Sequence, residues 1–97
     1  MLTIRYRRAA QLEYNEAAKW YESTRPGLGA RFLQVVDDFI DGIATDPERY
    51  PIVVEDIRQA FVGAFPYCVY YRIIVDRIQI IAIVHTSRDS AVWQARI

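Results

Sequence analysis

The sequence predicts an α+β domain of order β-α-α-β-β-β: an antiparallel sheet with an N-terminal helix hairpin on one face and a short C-terminal helical segment. Three observations predict it. Apolar residues recur twice at helical spacing in the first half of the chain. They alternate at strand spacing in the second half. Proline- and glycine-bearing stretches punctuate the boundaries. With 97 residues, the whole chain 1–97 is read as one domain.

The elements follow in order. Leu2–Tyr6 alternates as a short strand, with Leu2, Ile4 and Tyr6 on one side. From Ala9 to about Ser23 the pattern is helical: Ala10, Tyr14, Ala17 and Tyr21 share a face, and Glu13, Glu16 and Lys19 lie off it. Thr24-Arg25-Pro26-Gly27 ends this helix, because proline cannot continue it and glycine tolerates the turn. In the second helix Leu28, Phe32, Val35, Val36, Phe39, Ile40 and Ile43 form a broad apolar stripe, flanked by Gln34, Asp37, Asp38 and Asp41. It stops near Thr45, since Asp46-Pro47 and Pro51 follow. The short connection between the helices implies an antiparallel hairpin.

Ile57–Val62, Tyr67–Val75 and Ile78–His85 read as strands, with a turn at Gly63-Ala64-Phe65-Pro66 and a tight turn at Asp76-Arg77. Ser90–Arg96 reads as one or two helical turns. Strict alternation places Ile78, Ile80, Ala82 and Val84 on one face of the last strand, and Gln79, Ile81, Ile83 and His85 on the other. Both faces are largely apolar, and a helix hairpin covers only one. The second face therefore calls for cover from the C-terminal segment, from strand twist or from a partner.

Composition excludes several classes. The formal net charge is zero, so no global field draws the chain to nucleic acid or membrane. Eleven of the twelve basic residues are arginine, which suits carboxylate and phosphate pairing. Residues 1–48 carry six basic and eight acidic groups, residues 49–97 six and four, so the second half is the better surface for an anionic partner. Cys68, the sole cysteine, permits no intrachain disulfide and reads as a small buried hydrophobe. The N-terminus has no apolar signal region, and the longest apolar run, Ile78–Val84, is too short for a bilayer, so the expected location is the cytoplasm and no membrane is expected as partner. No nucleotide-binding or metal-binding signature occurs, so no cofactor and no metal are expected.

The densest polar cluster follows the last strand: His85, Thr86, Ser87, Arg88, Asp89 and Ser90, with Trp93 and Arg96 beyond. A strand end passing into a loop is a rigidly held place for a binding surface. Arg58 and Arg72, on neighbouring strands, are candidates to join it. Each has a plainer reading: Arg88 as an ion-pair partner, Trp93 as an indole closing the edge of the core, and His85 as a hydrogen-bonding residue. A histidine side chain titrates near neutrality and so suits base chemistry too. Ser87 and Ser90 beside His85 do not make a hydrolase without oxyanion donors.

The ordered set of motifs carries a resemblance. Trp20-Tyr21-Glu22, Pro26-Gly27-Leu28-Gly29 and Arg31-Phe32-Leu33 are followed by Pro47, Tyr50-Pro51 and Arg58. Phe65-Pro66-Tyr67, Tyr70-Tyr71-Arg72, His85, Arg88-Asp89, Trp93 and Arg96 complete it. This set resembles the RelE/ParE toxin superfamily over nearly the whole chain, in the group called plasmid stabilisation toxins. The resemblance implies the toxin half of a type II toxin–antitoxin pair, a cognate antitoxin with a flexible arm as partner, and no sequence-specific DNA binding by the toxin alone. RelE-like members cut messenger RNA on the ribosome; ParE-like members poison DNA gyrase. Cys68 stands where RelE-like toxins place an arginine, Thr86-Ser87 where they place a basic pair, and Trp93 about where their functional tyrosine falls. These departures favour the ParE branch, with gyrase as target. An RNA-cutting toxin or a degenerate interaction module are the alternatives. The candidate target surface is Arg58, Arg72, His85, Arg88, Trp93 and Arg96.

Overall fold

A computed structural model describes residues 1–97. Strand β1 (Thr3–Tyr6) leads into helices α1 (Arg8–Thr24) and α2 (Leu28–Thr45). Strands β2 (Ile52–Val54), β3 (Ile57–Phe61), β4 (Tyr67–Ile74) and β5 (Arg77–His85) follow, and a one-turn helix α3 (Ala91–Gln94) closes the chain. The sheet order is β1-β5-β4-β3-β2. The predicted elements are all present, with two differences. The three-residue strand β2 is additional; Ile52-Val53-Val54 follows two prolines and is too short to show a period. The sheet is also mixed and not antiparallel throughout, because β1 pairs parallel to β5 (Thr3 with Arg77 through Tyr6 with Ile80). The chain between them, the helix hairpin followed by β2, β3 and β4, makes the long crossover that such a parallel pair requires.

The hairpin turn depends on two glycines and one carboxylate. Gly27 has φ +88°, the left-handed region that suits glycine. At Gly29 a Cβ would lie 2.6 Å from the Ala18 carbonyl oxygen, so only glycine lets α2 approach α1 this closely. The Glu22 carboxylate of α1 accepts hydrogen bonds from the backbone N–H groups of Gly27 (2.9 Å) and Gly29 (2.9 Å). It thereby supplies the cap that α2's own sequence lacks, and its charge sits at the positive end of the helix.

Between the hairpin and one sheet face lies the main core. Ala10, Tyr14, Ala17 and Tyr21 of α1, with Phe32, Val36, Ile40 and Ile43 of α2, pack on Val69, Tyr71, Ile78, Ile80 and Ile83. The stripes read from sequence are the buried stripes, because helical period alone sets which residues share a face. Tyr14 donates its hydroxyl to the Leu33 carbonyl (2.8 Å) and to Asp37 (3.1 Å), tying α1 to α2 through a polar tip.

Strict alternation fails in β5. Tyr70 pairs with Ala82 but Tyr71 pairs with Ile80, so Ile81 is an extra residue, a β-bulge. The bulge exchanges the faces beyond it. Ile78, Ile80 and Ile83 lie under the helices, while Ile81, Ala82 and Val84 join Ile57, Cys68 and Tyr70 on the second face. A run of isoleucine, alanine and valine carries no polar residue to reveal such a shift. The second face is covered from within: Trp93 of α3 is 2% exposed and stacks on Tyr70 with centroids 4.0 Å apart. The β4–β5 turn falls on Val75-Asp76, one residue earlier than Asp76-Arg77, since Ile74 pairs with Arg77. Val75 is held at φ +49°, which is costly for a β-branched residue.

Candidate functional site

The end of β5, the loop after it and the exposed side of α1 enclose an open groove of about 510 Å³. Leu12, Glu16 and Trp20, spaced four residues apart on α1, form one wall with Glu13 and Ala17. Ile83, Val84, His85, Tyr67 and Arg88 form the other. A second hollow of about 400 Å³, lined by Trp20, Tyr21, Pro66, Tyr67 and His85, adjoins it through three shared residues. Trp20 is 60% exposed at their junction, a large apolar ring left in solvent.

Two of the six candidate residues lie in this groove. The His85 ring sits edge-on to Tyr67, with centroids 5.5 Å apart. Its Nδ1 accepts the Ser87 backbone N–H (3.1 Å), and the Ser87 hydroxyl lies 2.8 Å from the same nitrogen. An Nδ1 that accepts leaves the proton on the other ring nitrogen. Arg88 donates its backbone N–H to the His85 carbonyl (2.9 Å), which closes the turn. The three ion pairs of the chain involve Lys19, Arg72 and Arg96, so the Arg88 guanidinium is an uncompensated cation in the groove. Its field is felt at Tyr67, whose hydroxyl pKa is raised by burial and by neighbouring Tyr21, with Arg88 opposing.

The other four serve the fold. Arg58 donates to the carbonyls of Glu48 (3.0 Å) and Tyr50 (2.6 Å), and its pairing partner Tyr71 donates to the Pro47 carbonyl (2.6 Å). Together they hold the proline-bearing α2–β2 connection. Arg72 pairs with Asp56 in the β2–β3 turn (2.9 Å). Trp93 lies in the second core, the plainer of its two readings. Arg96 forms a two-contact ion pair with Glu13 (2.6 and 3.0 Å) and also donates to the Ile81 carbonyl (3.2 Å). Hence Arg58 and Arg72 do not line the groove with His85 and Arg88.

Leu12, Glu13, Trp20 and Tyr67 belong to the groove although none of them was among the residues expected at the target surface. The available signal was apolar Leu12 and Trp20 lying off the buried stripe of α1. Cys68 is buried and its thiol pKa is raised by burial, which suits a packing role and not a nucleophile. No three His, Cys, Asp or Glu side chains come together in a way that holds a metal ion. No helix is long and apolar enough to cross a membrane.

Comparison with known proteins agrees with this architecture. No curated protein matches the sequence. Among solved structures, a chain of the chromosomal ParDE TA system from P. aeruginosa superposes with a TM-score of 0.65 at 18% identity, covering 88% of this chain and 96% of that one. That likeness concerns the fold. The family model described as "ParE toxin of type II toxin-antitoxin system, parDE" matches residues 4–90, from the first strand through the groove residues His85 and Arg88. The chain belongs to the ParE toxin family of type II toxin–antitoxin systems.

Proposed function

We propose that this ParE-type toxin acts by binding DNA gyrase, without catalysis of its own, and that a cognate antitoxin neutralises it. The observation that carries this reading is how the candidate residues are employed. RNA cleavage needs cations arranged around a phosphate and a group that moves protons. Arg58 and Arg72 are committed to a loop and a turn, Arg96 to Glu13, and Trp93 to the core. His85 and Arg88 remain, a set suited to recognition on a groove wall more than to phosphodiester chemistry. The zero net charge supports the same reading, since docking on ribosomal RNA favours a strongly basic surface. The antitoxin partner is supported by the family and by the ParDE assembly in the similar structure. The exposed groove gives such a partner a place to sit.

The deciding experiment incubates the purified toxin with gyrase in a supercoiling assay and, in parallel, with a translation extract probed for cleaved messenger RNA. Inhibited supercoiling with intact messenger RNA is the expected result. Cleaved messenger RNA in the extract would overturn it in favour of a ribosome-dependent nuclease built on His85, Arg88 and Tyr67. If neither target responds while antitoxin still binds, the chain is an interaction module.

A further inference from the structure

The β4–β5 turn stands at the end of the sheet opposite the groove. Ile74 pairs with Arg77 beside the turn and Tyr67 with His85 at the far end, so the turn and His85 lie roughly 25 Å apart, the length of β5. The β2–β3 turn shares this end, because Arg58 faces Tyr71 and Val54 faces Ile57. Arg72 of β4 pairs with Asp56 of that turn (2.9 Å) and holds the two turns together. On its other side the β4–β5 turn is tied to β1, whose Thr3 N–H donates to the Asp76 carbonyl (3.3 Å). This end of the sheet is therefore braced from both sides.

Two costs fall on the turn itself. Val75 is 94% exposed, more than any other large apolar side chain of the protein. It also holds φ +49°, a left-handed backbone that a β-branched side chain fits poorly. Asparagine or glycine would occupy the position without either cost. So exposed a side chain has almost no contact within the chain to offset them. Strain held in place by its surroundings, at a side chain with no internal role, points to a contact outside the chain. Asp76 and Arg77 follow, both exposed, and neither belongs to any of the three ion pairs. An apolar knob, an acid and a base thus stand in consecutive positions on a rigid projection.

We infer that the β4–β5 turn is a self-association site, at which a second copy of this chain docks turn to turn about a two-fold axis. Under that axis each Val75 packs on its counterpart, and the Asp76 carboxylate of each copy meets the Arg77 guanidinium of the other. A two-fold contact requires this kind of surface, on which one residue meets a second and the second meets the first. The charges favour a second copy over nucleic acid. Glu55, Asp56 and Asp76 stand at the same end as Arg72 and Arg77, and a phosphate backbone would be repelled by all three acids. One turn against another buries less than the roughly 800 Å² per partner of a standard interface, so the dimer is weak and reversible. Both grooves lie away from the contact and stay open in it, so self-association does not compete with a partner seated there.

Sedimentation of the full-length toxin over a concentration series tests this. Reversible dimerisation is expected, with a dissociation constant on the order of 100 μM. Val75→Asn, which suits the left-handed backbone, should keep or raise the melting temperature while weakening the dimer at least about tenfold. Arg77→Asp and Asp76→Arg should each abolish it, because each sets like charges face to face. Mixed in equal amounts, the two charge variants should dimerise again, since an acidic turn then meets a basic one at both contacts. A toxin that stays monomeric throughout the series overturns the inference. So does a dimer indifferent to Val75→Asn and to both charge variants, and so does a mixture of folded charge variants that fails to associate. If a charge variant does not fold, the Val75→Asn affinity and the loss of the dimer on raising salt to about 1 M decide.

Discussion

The Arg96 guanidinium meets the Glu13 carboxylate at 2.6 Å across 83 residues of sequence. The pair ties the last residues of the chain to the first helix. Arg7 donates to the Arg96 carbonyl as well, so both termini are joined at one corner of the sheet. The hydrogen bond to Glu13 raises the Arg96 pKa further, against the opposing effect of burial. Arg96→Ala should cost about 2 kcal/mol, the scale of a charge-assisted bond in a half-buried site. Denaturant unfolding of Arg96→Ala, Glu13→Ala and the double variant checks this. A coupling energy near zero would show that the pair contributes nothing to stability.

Gly29 and Gly42 lie in the same helix but should respond oppositely to alanine. A Cβ at Gly29 meets the Ala18 carbonyl at 2.6 Å and the Glu22 side chain at 2.9 Å. Gly29→Ala must push the hairpin apart, at a cost of about 1–3 kcal/mol. A Cβ at Gly42 meets nothing within 4 Å, so Gly42→Ala should stabilise by about 0.5–1 kcal/mol through helix propensity. Thermal melting of the two variants tests the pair of signs.

Trp93 and Arg88 should separate effects on stability from effects on toxicity. Trp93→Ala removes the indole stacked on Tyr70 and should cost about 3–5 kcal/mol, with dye binding at the uncovered second face. Arg88→Ala touches an exposed side chain with no ion pair and should shift stability by less than about 0.5 kcal/mol. Its effect should appear instead as reduced toxicity in cells. Full toxicity of folded Arg88→Ala would move the target surface away from the groove.

Buried tyrosines predict alkaline sensitivity. Burial, with the charges of Asp37 and Asp41 adding, pushes the Tyr6 hydroxyl up to about 12, and burial does the same at Tyr71. Tyr14 moves in the same direction, through burial and its bond to Asp37. A folded-state pKa above the unfolded value of about 10 favours the neutral form in the fold. The resulting stability is fully present below about pH 10 and is lost as pH rises from there toward 12. Unfolding midpoints measured from pH 8 to 11.5 should fall only in the upper part of that range. A decline that begins well below pH 10 would implicate other groups.

The two helical stripes, the β4–β5 hairpin and the need to cover a second sheet face were legible in the sequence. All three are local patterns: period 3.6, period 2, and an apolar count too large for one hairpin to bury. The identity of the cover was legible only as one option among three, and packing decided it by placing Trp93 on Tyr70. The parallel β1–β5 pair was not legible, because which strand lies beside which is set by the crossover and not by alternation. The Ile81 bulge was hidden by a run in which every side chain is apolar. The candidate site divided in the same way. His85 and Arg88 are three residues apart in sequence and line one groove. Arg58, Arg72 and Arg96 were nominated as cations, but an arginine takes its role from whichever acceptor the fold brings within reach. Here those acceptors were loop carbonyls, Asp56 and Glu13. The sequence by itself determined the elements and the faces of the helices. Only the tertiary structure decided which of the nominated arginines, Arg58, Arg72 and Arg96, were spent on the fold, and that Arg88 stayed exposed on the groove.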